Sequence, residues 1–343
     1  MAVKHSPTVL VAIVNYRTPN LTIDCLRSLQ PEIRAAGAGR VRVEVADNAS
    51  GDDSIPRIQS AIQENGWSDW ATVSPRERNG GFSYGNNAVI RPALASAEPP
   101  DYLWLLNSDT IVKPGAMKTL VDFLEGRPDV GFAGCRLENR EGTVENSAFR
   151  FPSILGELEN GARLGVLSRL LEQWVVSPPA PKSAAPCDWA SGASLMVRRS
   201  ALEDIGLFDE GFFLYFEEVD LCLRARKAGW PCWYLPDAHV VHLAGQSSGV
   251  TGVEAARRRV PGYWFDSRRR FFRKHLGVAG TLAADFAWCL GFLSYRLRQR
   301  LLRKPDVAPE RMLGDFLRHN FLAGPRSRGH DRAPAGRLGA SND

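Results

Sequence analysis

Tyr102-Leu103-Trp104-Leu105-Leu106-Asn107-Ser108-Asp109 is a continuous apolar run that stops at three polar, turn-forming residues. A run without polar alternation reads as a strand buried on both faces, and the polar residues mark where the chain leaves the sheet. The same design recurs upstream. Thr8 to Asn15 ends at Asn15-Tyr16-Arg17, Val41 to Ala46 ends at Asp47-Asn48-Ala49-Ser50, and Trp70 to Val73 ends near Asn79-Gly80-Gly81. Helical patterns lie between them, near Asn20 to Leu29, Ile55 to Asn65 and Ser83 to Ser96. The alternation predicts an α/β fold with a mostly parallel central sheet covered on both faces. The carboxyl ends of such strands share one sheet edge, where ligands bind. One polar cluster is ordinary turn chemistry; four in succession predict a crevice.

A second informative window follows. Gly206-Leu-Phe-Asp-Glu-Gly-Phe-Phe-Leu-Tyr-Phe-Glu-Glu-Val-Asp220 sets five carboxylates, Asp209, Glu210, Glu217, Glu218 and Asp220, among aromatic and aliphatic residues. Acids in such surroundings pay for ionisation unless a cation, a donor or a substrate hydroxyl meets them. Glu217 to Lys227 reads as a helix stopping near Gly229, and acids in its first turn also suit the helix dipole. Paired carboxylates on a cleft wall, able to bind metal or take protons, are the functional reading.

Composition bounds the rest. The chain has 343 residues, 44% hydrophobic and 24% charged, with a net charge of +5. From Thr251 onward there are 19 Lys/Arg against 8 Asp/Glu, so a mildly acidic body carries a basic C-terminal region. The six cysteines show no C-x-x-C and no zinc-like spacing, which fits reduced, buried thiols in a cytoplasmic protein. Met1 to His5 lead directly into a strand, with no signal-peptide pattern. Val278 to Leu293, interrupted by Asp285, reads as too short to span a bilayer. No G-x-G-x-x-G follows the first strand and no G-x-x-x-x-G-K-[ST] occurs, which excludes the usual dinucleotide and P-loop sites. Asp109 with a divalent cation, Mg²⁺ or Mn²⁺, is then the candidate for holding phosphate. Ile154 to Trp174 reads as an amphipathic helix breakable at Gly161 and Gly165, and Ser177 to Pro186 as a Pro-rich linker.

In order, these pieces resemble the family 2 glycosyltransferases, inverting enzymes with a GT-A nucleotide-sugar-binding fold, and within them the bacterial rhamnosyltransferase-like branch. Val11-Ala-Ile-Val-Asn-Tyr16 and Asp47-Asn48-Ala49-Ser50 are weak signals alone. Joined to Asn79-Gly80-Gly81-Phe82, Leu106-Asn107-Ser108-Asp109, Phe208-Asp209-Glu210 through Asp220-Leu221, Ala228-Gly229-Trp230 and His242, they are specific. The resemblance runs from about Pro7 to Gly277.

The resemblance implies a role for each matching residue. Asn15, Tyr16, Asp47, Asn79, Gly80 and Asn107 are expected to bind the nucleotide-sugar donor. Asp109, the last position of the family's D-x-D motif, and His242 are expected to hold the cation; the motif's first position is Asn107 here. The family's usual Glu-Asp pair is Glu217-Glu218 in this chain, which makes Glu218 the expected base, with Glu217 beside it and Asp220 in reserve. Trp189, Ser191, Gly192, Asp209 and Glu210 are expected at the acceptor. The implied reaction is metal-assisted inverting transfer of a sugar, L-rhamnose from dTDP-rhamnose first, to a glycan or polyprenyl-pyrophosphate-linked acceptor. Other donors such as UDP-galactose or UDP-glucose, a non-catalytic sugar-nucleotide-binding protein and a nucleotidyltransferase are the alternatives. A processive synthase is disfavoured, because neither Q-x-x-R-W nor membrane spans follow the catalytic region.

The expected organisation is a GT-A domain over residues 1–250, a helical basic C-terminal region over 251–323 and a disordered tail over 324–343. Within the first, about 1–110 form the nucleotide half and 111–250 the acceptor half, with a mobile excursion at 140–186. The basic, aromatic-studded segments Arg257-Arg258-Arg259 and Arg268 to Lys274 are expected to meet anionic lipid rather than nucleic acid, which places the protein peripherally at the inner face of the cell membrane. A homodimer through the C-terminal helices is left open.

Overall fold

The computed structural model describes residues 6–243 and 259–322; the 324–343 tail, Arg257 and Arg258 lie outside the described residues. Strands β1 (Val9–Asn15), β2 (Val41–Asp47), β3 (Ala71–Pro75) and β4 (Tyr102–Asn107) alternate with helices α1 (Pro19–Ala36), α2 (Ser54–Glu64) and α3 (Gly81–Leu94). All four strands are parallel in the order β3-β2-β1-β4. Along β1, Val9, Val11 and Ile13 enter one apolar cluster while Leu10 and Ala12 enter another. Both faces are therefore covered, which is why the strand sequence shows no alternation.

The sequence reading leaves 110–139 unassigned, and three elements lie there: β5 (Thr110–Val112), α4 (Ala116–Gly126) and β6 (Phe132–Glu138). Then follow β7 (Val144–Glu145), β8 (Ala148–Phe149), α5 (Ile154–Ala162), α6 (Gly165–Leu170), β9 (Ala185–Cys187), β10 (Trp189–Ala190), β11 (Ser194–Arg198), α7 (Arg199–Ile205), α8 (Glu217–Lys227) and β12 (Cys232–His242). The sheet continues β4-β11-β6-β12-β5, with β11 antiparallel between β4 and β6 and β12 parallel to β6. The carboxyl ends of β4, β6 and β12 thus share the edge defined by β1 and β2. The two short strands expected at 233–235 and 239–242 are one strand with a register shift between Leu235 and His239.

The long C-terminal helix α9 (Gly262–Leu301) is folded back on itself at Gly277 (φ 69°, ψ −170°). Arg268 Nη1 meets Asp285 Oδ1 at 2.5 Å although the two are 17 residues apart; a straight helix would separate them by about 25 Å. By length and composition α9 could cross a membrane, with a window of mean hydropathy 1.6, longer than the short apolar stretch read from sequence. The fold-back instead packs part of it against α5, where Gly161 and Gly291 let the two backbones approach. The Arg268 guanidinium, fully buried, also binds Glu157 Oε2 at 2.8 Å. Within the 140–186 excursion, α5 is tied to α9 by a buried ion triad. The helix expected over 154–174 breaks at Arg163, whose φ is 48°.

That triad also corrects the expected lipid contact of Arg268 to Lys274. Arg268 is spent inside the fold, Arg269 donates to the His319 carbonyl, and Arg270 and Lys274 bind Asp209. Lys274 binds Asp220 as well, and Arg259 pairs with Asp315.

Candidate active site

The strand-end clusters converge. Asn15 closes β1 and is fully buried; its Nδ2 donates to Asp47 Oδ1 at 2.6 Å, and its Oδ1 accepts from Thr22 and Thr18. Asp47 also accepts from the Ser50 hydroxyl and backbone N–H, at 2.5 and 3.0 Å. Its carboxylate, 1% exposed, shapes the loop below the crevice. Tyr16 lies half-buried above it, with the Arg17 guanidinium over its ring at 5.2 Å. Asn48 reaches across to the Gly81 carbonyl at 2.8 Å, which fixes the start of α3 against the β2 turn. Asn79 Oδ1 accepts from Gly81 N, turning the chain into α3, whose N-cap is Gly80.

Gly81 has φ +82°, and a Cβ there would lie 1.9 Å from the Phe213 carbonyl oxygen. Glycine is required by both backbone conformation and space. The next residue, Phe82, donates its N–H to that same carbonyl at 2.8 Å. The loop of the acidic window that precedes α8 is thereby tied to the start of α3.

The β4 end carries the metal candidates. Asp109 Oδ1 and His242 Nε2 lie 3.5 Å apart, and Asn107 Nδ2 is 3.4 Å from the same nitrogen. Asp109 is 4% exposed, and its carbonyl accepts from Leu243 N, which clips the end of β12 onto the β4 turn. Among the described residues no third His, Cys, Asp or Glu joins them. One carboxylate, one imidazole and an amide whose oxygen and nitrogen are interchangeable by a flip form a sparse donor set. Such a set fits Mg²⁺ or Mn²⁺ when substrate phosphates complete the shell.

The carboxylates of the acidic window separate sharply. Tyr215 and Phe216 both have positive φ, 70° and 67°, a strained pair that swings the chain into α8. Glu217, 3% exposed, has its carboxyl held well above the usual range by burial and by the neighbouring Glu218 charge. Burial also raises Glu218, against N–H bonds from its own backbone, Val219 and Gly192, and leaves it at about 7. Oε2 of each glutamate is buried and meets no protein donor among the described residues. A buried carboxylate oxygen without a donor is costly, and a proton or a substrate hydroxyl would relieve it.

Asp220 is of another kind. Burial would raise its carboxyl, but His275, Lys274 and Arg224 outweigh that and hold it at about 2. The three partners lie at 2.7 to 2.9 Å. A carboxylate bound this tightly is a poor base, so the reserve role is corrected to fixing α8 against α9. Asp209 and Glu210 are also committed: Arg270, Lys274 and Gly211 N hold the first, Asn87 and Arg91 the second. These contacts brace the 206–214 loop, with Glu210 still exposed at its surface.

Gly192 connects the halves. Its N–H binds Glu218, and a Cβ on it would touch the Phe82 ring at 3.3 Å. The following residue, Ala193, accepts from Asn107 N at 3.0 Å. Glu218, the α3 start and the Asn107–Asp109 turn are therefore neighbours around the 192–193 turn. Ser191 is half-buried beside it, its N–H on the Ser147 carbonyl; Trp189 stacks on Phe149 at 4.1 Å and donates to the Arg150 carbonyl. Sequence reasoning placed Phe82 and Asn48 in their motifs without a role, and missed Lys274 and His275 beside Asp220, which are distant in the chain.

The model of the "Glycosyltransferase like family 2" family matches residues 6–262. The N-acetylglucosaminyl-diphospho-decaprenol L-rhamnosyltransferase of Mycobacterium tuberculosis is 33% identical over 220 residues, 61% of this chain and 68% of that one. Rhamnosyltransferase WbbL of Escherichia coli K12 is 26% identical over 48% of this chain and 61% of its own length. Among solved structures, the mannosyltransferase PcManGT of Pyrobaculum calidifontis in complex with GDP-Man and Mn²⁺ superposes with a TM-score of 0.55 at 15% identity, over 88% of this chain and 76% of that one. GalNAc-T7 with UDP, GalNAc and Mn²⁺ superposes with a TM-score of 0.57 at 13% identity, over 92% and 55%. These two establish the fold, of GT-A type. The chain belongs to glycosyltransferase-like family 2 and is a glycosyltransferase.

Proposed function

We propose that this enzyme transfers a sugar with inversion, L-rhamnose from dTDP-rhamnose, to a glycan carried on a polyprenyl diphosphate during cell-surface polysaccharide assembly. The observation that carries the reading is the Glu218 carboxyl. It stands at the start of α8 with an unsatisfied oxygen and an affinity for protons near neutrality, bordering the same crevice as Asp109 and His242. The rhamnosyltransferase relatives support the sugar, and the lipid-linked acceptor printed for the mycobacterial relative supports the acceptor class.

Glu218 Oε2 accepts the proton of an acceptor hydroxyl as that oxygen attacks the anomeric carbon from the face opposite the diphosphate. The bond to the diphosphate breaks, its electrons leave with the nucleotide, and the anomeric configuration inverts. Gly192 N–H, bound to Glu218, holds the carboxyl in place. Asn79 and Gly80 face the diphosphate from the α3 start, where backbone N–H groups favour anions. Asn15, Tyr16 and Asp47 form the nucleoside wall. Asp109 and His242, with Asn107 beside them, would hold a divalent cation, which when bound would supply positive charge for the departing diphosphate. The reaction belongs at the cytoplasmic face of the membrane, where lipid-linked acceptor and soluble donor meet.

A transfer assay with dTDP-rhamnose and an N-acetylglucosaminyl-diphospho-polyprenol, with Mn²⁺ present, tests the reading. Release of dTDP with formation of an inverted rhamnoside is expected. Release of pyrophosphate would assign a nucleotidyltransferase, and turnover only with UDP-galactose or UDP-glucose would replace the donor.

A further inference from the structure

The second half of α9 carries a feature that catalysis does not use. Val278, Leu282, Phe286, Leu290, Leu293 and Leu297 are 41 to 66% exposed. Their spacing of four, four, four, three and four residues places them on one helix face, about 30 Å long. Soluble surfaces seldom leave so continuous an apolar stripe uncovered. The sole charged residue between Val278 and Tyr295 is Asp285, which is buried against Arg268. Phe321 extends the face sideways, its ring 5.5 Å from that of Phe286, and Leu322 beside it is 80% exposed.

The rim of the stripe is basic. Arg300, Arg303 and Lys304 follow its end, and Arg318 stands next to the Phe321 patch; all four are exposed and make no ion pair among the described residues. We infer that this face lies in the surface of an anionic lipid bilayer, with the leucines and Phe286 below the headgroups and the arginines on the phosphates. Apolar side chains along one face and cations at its margin are what an in-plane interfacial helix requires. A second copy of this chain fits less well, because the stripe bears no acid to neutralise the partner's basic rim. Spanning the bilayer fits less well too, because the opposite face is packed on α5 and buries the Arg268–Glu157–Asp285 triad. The inference rests on exposure and charge and is independent of the sugar or acceptor.

The surface differs from the Arg268 to Lys274 run, in which Arg268, Arg269, Arg270 and Lys274 are engaged within the fold. It is nonetheless coupled to catalysis. Before the Gly277 bend, α9 supplies Arg270, Lys274 and His275 to Asp209 and Asp220, and Ser267 donates to the Leu214 carbonyl. A bilayer docked on the second half would thus bear on the element that braces the acidic loop.

Vesicle flotation with the full chain tests the inference, using phosphatidylcholine with and without phosphatidylglycerol. The wild-type protein is expected to float with the anionic vesicles. Leu290→Glu/Leu293→Glu is expected to weaken that binding at least about tenfold, and Arg300→Glu/Arg303→Glu/Lys304→Glu to remove its dependence on phosphatidylglycerol. Both variants should retain wild-type donor binding, because the altered residues are exposed and remote in sequence from the crevice. No flotation of the wild type, or equal flotation of the leucine variant with intact donor binding, would overturn the proposal. Resistance to alkaline extraction would replace it with a spanning helix. A dimer that the leucine variant dissociates, without vesicle binding, would assign the face to a second copy.

Discussion

Replacing Glu218 by glutamine should slow transfer and stabilise the fold at the same time. The carboxyl is displaced from 4.5 to about 7 by burial, so ionising it in the folded protein costs about 3 kcal/mol more than in the unfolded chain. The sign follows from the direction. An acid raised on folding favours the folded state below the unfolded value, and that contribution is lost as pH rises from about 4.5 through about 7. Above that range the native state carries the penalty in full. Glutamine has the same shape and no charge to desolvate, so at pH 8 Glu218→Gln should gain stability, by up to about 3 kcal/mol in denaturant titration. Activity moves the other way. Loss of a general base costs about 10²- to 10⁴-fold in kcat, read as nucleoside diphosphate release. In the wild type, kcat/KM should rise with pH, the base being about one-tenth ionised at pH 6 and nine-tenths at pH 8. Glu218→Asp, which restores the family's usual residue, should keep the pH profile with altered rate. A Glu218→Gln enzyme within about threefold of wild type would refute the assignment, given that one base supplies at least about a hundredfold. A rate flat from pH 6 to 8, with chemistry limiting, would do the same.

Asp220→Asn should destabilise by about 3 kcal/mol, since Lys274 and Arg224 lose a buried anionic partner. The stability from Asp220 is present above pH about 4 and lost as pH falls through about 2, so the variant's thermal midpoint should converge on wild type in acid. Gly81→Ala should cost about 1–3 kcal/mol and weaken donor binding, because the added carbon meets the Phe213 carbonyl in a strained backbone; unchanged calorimetric affinity would remove that junction from the donor site. Arg268→Met should lower stability by about 3–5 kcal/mol by leaving Glu157 and Asp285 buried without their cation; a midpoint equal to wild type would contradict the anchoring of α5.

Much of the architecture was legible because both-face burial writes itself as uninterrupted apolar strands, and because each strand ended in Asn, Asp or Gly. The convergence of Asn15, Asp47, Gly81 and Asp109 at one edge follows from parallel order alone. The acidic window was harder. Glu218 and Asp220 are two residues apart and look alike in sequence, yet one meets backbone N–H groups and the other meets Lys274 and His275 from the far end of the chain. Only tertiary contact distinguishes a poised base from a structural anion. The same holds for Arg268 to Lys274, a basic run that reads as surface until Glu157, Asp285, Asp209 and Asp220 are placed around it. α4 was missed despite its periodic Met117, Leu120 and Leu124, all of which are buried.

Calorimetric binding of dTDP-rhamnose with and without Mn²⁺, for wild type and Asp109→Ala, tests the central claim most directly. Mn²⁺-dependent binding to the wild type is expected, with loss of that dependence in the variant and His242→Ala intermediate. Tight binding that ignores both Mn²⁺ and Asp109 would contradict a cation-assisted crevice at the β4 edge.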